Sequence, residues 1–265
     1  MPSAARAAET APESCGGAGC RVFTTPAAAF MTVLARDPRV LAVGEAHAQK
    51  DTRVRSTTAR FMEDLLPLLR GRASHLVLEI WLQTGKCGKV EHRVREQQRP
   101  VVAQQAPQNL DEFVALGTRA KALGIEPQAL VPSCSEYDVI SKAGAGDIAR
   151  MLEMISARTE RDLVRLLDQQ ADGGRPGLIV AYGGALHNDV EPRPGREAWS
   201  FGPALARRTA GRYVELDVIV PELVKDTEAW RAQPWYAHYD ATKAGAHALL
   251  YNPAPGSYAL ILPRQ

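Results

Sequence analysis

Two short motifs in the chain place a histidine three residues after a glycine. Gly44-Glu-Ala-His47 follows the apolar residues 40–43, and Gly184-Ala-Leu-His187 follows the apolar run within residues 176–182. Short β-branched stretches of this kind predict buried strands, and a glycine allows the sharp backbone turn that follows. Because ligands gather at the carboxyl ends of strands in open parallel sheets, we expect both motifs to contribute to one functional site.

Each motif is followed, about thirty residues later, by a second predicted strand that carries an acid. Glu79 lies in the first of these strands, and Glu215 and Asp217 lie in the second. We rank Glu215 and Asp217 lower, because we expect only one of them to point towards the site. The repeated order of strand, Gly-x-x-His motif, helix and acid-bearing strand predicts two related half-units that face a single site.

Four of these residues supply two imidazoles and two carboxylates: Glu45, His47, Glu79 and His187. Mixed nitrogen and oxygen ligands of this kind suit zinc, manganese, iron or cobalt. An ion held by three protein ligands lowers the pKa of a bound water to roughly 7, and a carboxylate left off the ion can act as general base. The sequence therefore predicts a divalent metal site with His47 and His187 as ligands and one of the two glutamates as base.

Polar residues next to the two histidines are expected to orient their second ring nitrogens: Asp51, Asn188 and Asp189. Other catalytic signatures are missing from the sequence. It contains no G-x-S-x-G elbow, no H-E-x-x-H and no P-loop, which disfavours a serine hydrolase, a zincin and a nucleotide-binding fold.

The composition narrows the classes of partner. In 265 residues, 32 basic residues nearly balance 30 acidic ones, so nothing in the charge indicates nucleic-acid binding. No apolar run approaches the roughly 18 residues of a membrane span, so we expect no transmembrane segment. We predict a disordered leader over residues 1–20 and one domain over residues 21–265. This leader and the even number of cysteines favour an exported protein.

The four cysteines are Cys15, Cys20, Cys87 and Cys134, and none forms a C-x-x-C pair. Two disulfides with three possible connectivities, or four free thiols, remain open at this point. Cys87 and Cys134 are expected in loops.

The order of the remaining elements predicts an α/β fold. Strand, helix and strand with short joins form a βαβ crossover, which implies a parallel pair, and this unit occurs twice with flanking helices. The predicted helices cover residues 25–34, 52–70, 109–123, 146–170 and 202–210, and the further strands cover residues 76–81, 129–131 and 212–220.

Two segments lie outside these half-units. Residues 83–109 are polar and Gln-rich, and we interpret them as a solvated insertion rather than a mobile loop over the site. Residues 247–251 and 257–262 predict a C-terminal hairpin. The aromatic group ahead of it is interpreted as core rather than as a substrate wall: Trp230, Trp235, Tyr236 and Tyr239.

The motifs Gly44-Glu-Ala-His47, Leu78-Glu79 and Gly184-Ala-Leu-His187 resemble those of the superfamily of ChaN-like haem-binding proteins, Tiki and TraB proteins and erythromycin esterases. The resemblance spans residues 38–220 and rests on the order of the motifs. It implies an α/β fold with two related halves whose histidines and glutamates meet in one cleft. By this resemblance Glu45, His47, Glu79 and His187 are the positions that carry the function.

The same resemblance implies divided functions. Tiki members look like metal-dependent proteases, erythromycin esterases hydrolyse a lactone, and ChaN-like members bind haem, for which Tyr182 or His187 could serve as axial ligand. Our leading hypothesis is a metal-dependent hydrolase of an ester or amide bond in a small-molecule or peptide substrate. The alternative is a haem-binding protein of iron uptake, and the third is a member that binds a ligand without chemistry.

Overall fold

A computed structural model describes residues 13–50, 53–82, 84–144, 148–242 and 245–265. In this part of the chain eight strands form one mixed sheet in the order β1-β7-β8-β6-β2-β5-β3-β4. The strands are β1 (Arg21–Phe23), β2 (Val40–Glu45), β3 (Ala73–Trp81), β4 (Glu126–Leu130), β5 (Leu178–Gly184), β6 (Tyr213–Ile219), β7 (Ala248–Ala254) and β8 (Ser257–Ile261). The neighbours from β8 to β4 are parallel, and β7 is antiparallel to β1 and β8.

Helices cover both faces of this sheet. They are α1 (Pro26–Leu34), α2 (Thr57–Arg60), α3 (Lys89–Val102), α4 (Asn109–Ala122), α5 (Cys134–Ala143), α6 (Ile148–Ala171), α7 (Gly202–Arg208) and α8 (Glu228–Arg231). The α2 helix continues as a π-helix at Phe61–Leu65 and a 3-10 helix at Leu66–Leu69. Further 3-10 turns lie at Glu197–Trp199, Pro221–Leu223 and Tyr236–His238.

The alternation of side chains along the central strands divides the core into two layers. Leu41 and Val43 of β2 pack in one layer with α1, α4 and the helical segment 57–69. Val40 and Ala42 of the same strand pack in the other layer with α3, α5, α6 and α7. Since both faces of the central strands are covered by helices, the sequences of these strands are continuously apolar.

The two predicted half-units are present, and they interleave. The prediction of an α/β fold with a parallel-rich sheet and a C-terminal hairpin is confirmed. However, β2 does not pair with β3, because β5 lies between them, and β2 in turn separates β5 from β6. Each βαβ unit therefore contributes one of the two strands at the centre of the sheet.

Several boundaries differ from the prediction. Residues 89–102 of the predicted insertion form α3, and Cys134 begins a helix, α5, instead of lying in a loop. The predicted strand at 129–131 begins earlier, at Glu126, and the helix predicted over 52–70 begins at Thr57. Residues 51 and 52 lie outside the described part of the chain.

Two disulfides connect the four cysteines, Cys15 with Cys20 and Cys87 with Cys134. The first lies in residues 13–20 of the predicted leader, where both cysteines are buried beside β7 and β8. Residues 1–12 lie outside the described part. The second disulfide joins the segment before α3 to the first residue of α5.

None of the helices in the described part of the chain is long and apolar enough to cross a bilayer.

Candidate functional site

The two Gly-x-x-His motifs lie side by side, because the strands before them are neighbours. Glu45, the last residue of β2, pairs in register with Gly184, the last residue of β5. Glu79 reaches the same place from β3, at a point where the pairing register with β4 is irregular. Irregular pairing at a strand end is common beside functional sites, since it redirects a side chain.

Glu45, which is buried, forms a pair with the half-buried His47 at the end of β2. Nδ1 of His47 donates to Oε1 of Glu45 over 2.8 Å, since an ionised carboxylate can only accept. The other oxygen, Oε2, accepts from the hydroxyls of Thr58 (2.7 Å) and Tyr182 (2.5 Å). Both oxygens of Glu45 are therefore occupied by protein donors, and Nε2 of His47 is left to face the cleft.

The charges around His47 favour its protonated form. Burial alone would lower the pKa of this imidazole, but the hydrogen bond to Glu45 and the charges of Glu45 and Glu79 together raise it to about 9. The side chain of His47 is about 25% exposed, so its edge is open to the cleft. The two carboxylates thus give this position a negative potential that attracts a cation. A metal ion bound to Nε2 would displace the proton from that nitrogen.

His187 is oriented by a backbone group. Its Nδ1 donates to the carbonyl of Trp199 over 2.8 Å, which fixes Nε2 as the nitrogen that faces Glu79. Nε2 lies 3.7 Å from Oε1 of Glu79, which is too long for a hydrogen bond. The second oxygen of Glu79 accepts from the backbone N–H of Gly184 over 2.7 Å.

Gly184 lies beneath the point where these side chains converge. A Cβ atom built at this glycine would lie 3.4 Å from Nε2 of His47, 3.6 Å from Oε2 of Glu79 and 3.8 Å from Cδ2 of His187. Three potential ligands from β2, β3 and β5 therefore surround one small space. The glycine leaves this space open.

The orienting residues differ from those expected from the sequence. Asn188 donates to Asp217 and to the carbonyl of Ala42 instead of orienting a histidine. Asp189 has no hydrogen bond to His187, and Asp51 lies outside the described residues. Glu45 and the carbonyl of Trp199 take this role. A backbone carbonyl has no side-chain signature in a sequence, so only the Glu-x-His spacing could have pointed to the first of them.

Of the two acids of β6, Asp217 lines the cleft and Glu215 does not. Alternation is not the reason, because residues two apart project from the same face of a strand. Glu215 instead accepts from the backbone N–H of Val190 and the hydroxyl of Ser257. Burial and the charge of Asp189 raise the pKa of Asp217 to about 7, against a hydrogen bond from Asn188. Burial, Asp217 and Asp189 likewise raise the pKa of Glu215 well above its usual value.

A cleft of about 650 Å³ opens above the site, and Glu45, His47, Glu79 and His187 all line it. Tyr182 lies below the cleft, fully buried, with its hydroxyl bonded to Glu45. Burial and the charge of Glu45 raise the pKa of this phenol, which keeps its proton.

The aromatic group near the C-terminus has two roles. Trp235 packs in the core against Tyr251 and Tyr239, in agreement with the core interpretation. Trp235 and Trp230 also line the cleft, so part of the same group forms a wall of the site.

The donor atoms can be tested against the requirements of a metal ion. No group of three or more His, Cys, Asp or Glu side chains in the described ranges is already arranged as an ion site. Two ligands at about 2.1 Å from a tetrahedral ion are about 3.4 Å apart, and Nε2 of His187 and Oε1 of Glu79 are 3.7 Å apart. A shift of a few tenths of an ångström would accommodate an ion between these two atoms. Nε2 of His47 lies 3.4 Å from the position that a Cβ would take at Gly184. Two imidazoles and a carboxylate are donor types that fit a divalent transition metal.

Comparisons with known proteins add little to this geometry. No model of a protein family matches the chain, and no curated protein matches it. Among solved structures, the type III effector HopBA1 is similar with a TM-score of 0.44 and 10% sequence identity, over 91% of this chain and 94% of that chain.

Proposed function

We propose that this chain is a metal-dependent hydrolase that cleaves an ester or amide bond in a small-molecule or peptide substrate. One observation carries the proposal: Nε2 of His47, the carboxylate of Glu79 and the ring of His187 lie 3.4–3.8 Å from one point above Gly184, at the floor of a cleft. An ion with two imidazoles, one carboxylate and an open position is a common arrangement in metal-dependent hydrolases.

Some residues of the site would bind the metal ion, and others orient the residues that bind it. His47, His187 and Glu79 would hold a zinc, manganese, cobalt or iron ion. The ion, when bound, would polarise the scissile carbonyl and acidify the attacking water. Glu45 is a positioning residue, because its hydrogen bond to Nδ1 aims Nε2 of His47 into the cleft. The carbonyl of Trp199 does the same for His187.

Glu79 is the glutamate that faces the open space, and it has two candidate roles. As third ligand it would raise the affinity for the ion, whereas as general base it would accept the proton of the attacking water. Glu79→Gln separates these roles, because loss of a ligand weakens metal binding and loss of a base lowers turnover with the metal retained. Glu45→Gln is expected to cost about 10–100-fold in either quantity through misalignment of His47.

The first test is metal content and metal affinity of purified protein. Wild type should bind one zinc, manganese, cobalt or iron ion per chain in calorimetry after removal of metal with a chelator, and His47→Ala/His187→Ala should not. His75→Ala is the matched control, since His75 lies near the opposite end of β3 and contacts Ser74. A wild-type protein that takes up no ion would contradict the proposal.

Haem binding is the second candidate. It is favoured by the size of the cleft and its aromatic wall beside two imidazole nitrogens. Added hemin would then give a Soret band that His187→Ala weakens, with His75→Ala as control. Tyr182→Phe should leave that band unchanged, because the phenol is bonded to Glu45 below the cleft. If the protein binds neither metal nor hemin, the third alternative is left, namely a protein that binds a ligand and catalyses no reaction.

A further inference from the structure

The walls of the cleft differ in character from its floor. The floor carries the acidic and histidine side chains at the edge of the sheet. The walls come from α3, α4, α6 and the segment around α8, and they are mostly apolar: Val102, Leu110, Phe113, Ile148, Met151, Leu152, Ile155, Trp230 and Trp235. An apolar wall of this kind is stabilised by an apolar ligand that removes it from water.

Lys and Arg side chains are missing from this cleft. The chain contains 32 Lys and Arg residues, yet none of the lining residues that the structure describes is a Lys or an Arg. A carboxylate or phosphate that binds against the walls, away from His47, would therefore lose its water without gaining a counter-charge, and the carboxylates of Glu45 and Glu79 would repel it. Anionic ligands are disfavoured on both grounds.

The exposed apolar residues of the protein concentrate at this site. Eight large hydrophobic side chains in the described part of the chain are exposed, and four of them line the cleft: Val102, Leu110, Ile148 and Leu186. Scattered exposed hydrophobic residues need no explanation, but such a cluster around one cavity indicates a binding surface. This surface continues directly into the floor that holds His47 and His187.

We propose that the substrate is an uncharged ester or amide whose scissile bond carries one large apolar group, and that this group lies against the α4 and α6 walls of the cleft. This inference rests on the proposed function for the bond that is cleaved. It also specifies which part of the substrate contacts the walls, and the metal-binding residues give no information about that part.

Hydrolysis of esters of graded chain length tests the proposal. In p-nitrophenyl esters from acetate to octanoate, and in alkyl acetates of matching length, kcat/KM should rise by about fourfold per added methylene in at least one series. An octanoate ester with a carboxylate at the far end of the chain should be hydrolysed at least 100-fold more slowly than octanoate itself. Equal rates for all lengths would overturn the inference and leave the hydrolase proposal standing.

A pair of surface variants on α4 localises the effect. Leu110 is 61% exposed and lines the cleft, whereas Val114, one turn later on the same helix, is 54% exposed and does not. Leu110→Lys should reduce the gain per methylene and increase the rate on the ester with the terminal carboxylate. Val114→Lys should change neither rate. Identical behaviour of the two variants would overturn the placement of the apolar group.

A binding measurement separates failure of the inference from failure of the proposed function. Three tryptophans line the cleft, namely Trp81, Trp230 and Trp235, so an occupant should change their fluorescence. Decan-1-ol should bind to wild type at least 10-fold more tightly than decanoate, and Leu110→Lys should abolish this preference. Binding of decanol without hydrolysis of any ester would contradict the hydrolase and support the apolar cleft. Equal binding of alcohol and anion would overturn the inference.

Discussion

Gly184→Ala offers a sharp test of where the reacting groups converge. The backbone of Gly184 does not have the positive φ that favours glycine. The added methyl would meet its nearest side-chain atoms at 3.4–3.8 Å, which is ordinary van der Waals contact. We therefore expect the free energy of unfolding to change by no more than about 1 kcal/mol, in the stabilising direction if only the unfolded chain is affected.

The same methyl should strongly impair the site. A metal ion or water bound to Nε2 of His47 would lie about 2.1–2.8 Å from that nitrogen, and the Cβ at 3.4 Å would occupy part of the same space. We expect metal affinity to fall at least 100-fold, which corresponds to about 2.7 kcal/mol. Calorimetric titration of metal-free protein with zinc measures this loss, and hydrolysis of p-nitrophenyl butyrate measures its effect on turnover.

Gly183→Ala is the matched control at the neighbouring position. A Cβ there would collide with the carboxylate of Glu79 and lie 2.8 Å from its Cβ, so a side chain of β3 would have to move. This variant should lose about 1–3 kcal/mol of stability through overpacking, which urea unfolding would detect. If Gly184→Ala folds normally and retains wild-type metal affinity, the three side chains do not share the space above Gly184 and our reasoning is refuted.

Three further predictions concern the support of the site and of the fold. Tyr182→Phe should cost roughly 1.5–3 kcal/mol in urea unfolding, because the buried carboxylate of Glu45 loses a hydrogen bond; an unchanged midpoint would contradict this. Replacement of Cys87 and Cys134 by serine should cost about 4 kcal/mol for a sequence separation of 47, and a loss below about 1 kcal/mol would contradict the loop-entropy estimate. Burial and nearby acids raise the pKa of Asp217 from 3.8 to about 7, so the folded state keeps a proton that the unfolded state releases, and stability should fall from about pH 4 to pH 7. Asp217→Asn should reduce that fall when unfolding is compared at pH 5 and pH 8, and the remainder comes from Glu215 and His47, whose pKa values are also raised. An unchanged pH dependence would contradict the contribution of Asp217.

The residues that meet at the site could be predicted because their signals are local. An apolar strand followed by glycine and a polar residue indicates a strand end, and parallel strands in an α/β fold bring such ends to one edge. Glu45, His47 and His187 follow this rule, and Glu79 lies near the carboxyl end of the neighbouring strand β3. The division of roles between the two glutamates could not be predicted, because it depends on Thr58 and Tyr182, which approach Glu45 from other elements.

The α3 helix shows why one wall of the cleft escaped prediction. Helix signals in a sequence come from apolar residues on one face. Among the α3 side chains that the structure describes, only Val94 and Glu91 are buried, and Pro100 lies within the helix. A helix with one apolar anchor among Gln, Arg and Glu residues cannot be distinguished from a solvated loop by its periodicity. The helix is instead held in the fold, through the Cys87–Cys134 disulfide and packing on α5.

The interleaving of the two half-units decides which acid lies beside which histidine motif. Each unit was expected to form its own parallel pair, which would place β3 and its Glu79 beside β2 of the same unit. In the structure β3 pairs with β5 instead, so Glu79 lies near His187, which follows β5. The observed order β6-β2-β5-β3 is symmetric about its centre. The two strands that precede the histidine motifs, β2 and β5, are direct neighbours, and the two acid-bearing strands, β6 and β3, lie outside them. A repeat in a sequence therefore predicts two equivalent sets of residues, but whether they form one site or two depends on which strand of each unit lies at the centre. Here Glu45 and Gly184 pair across that centre, so each unit supplies one histidine to the same space.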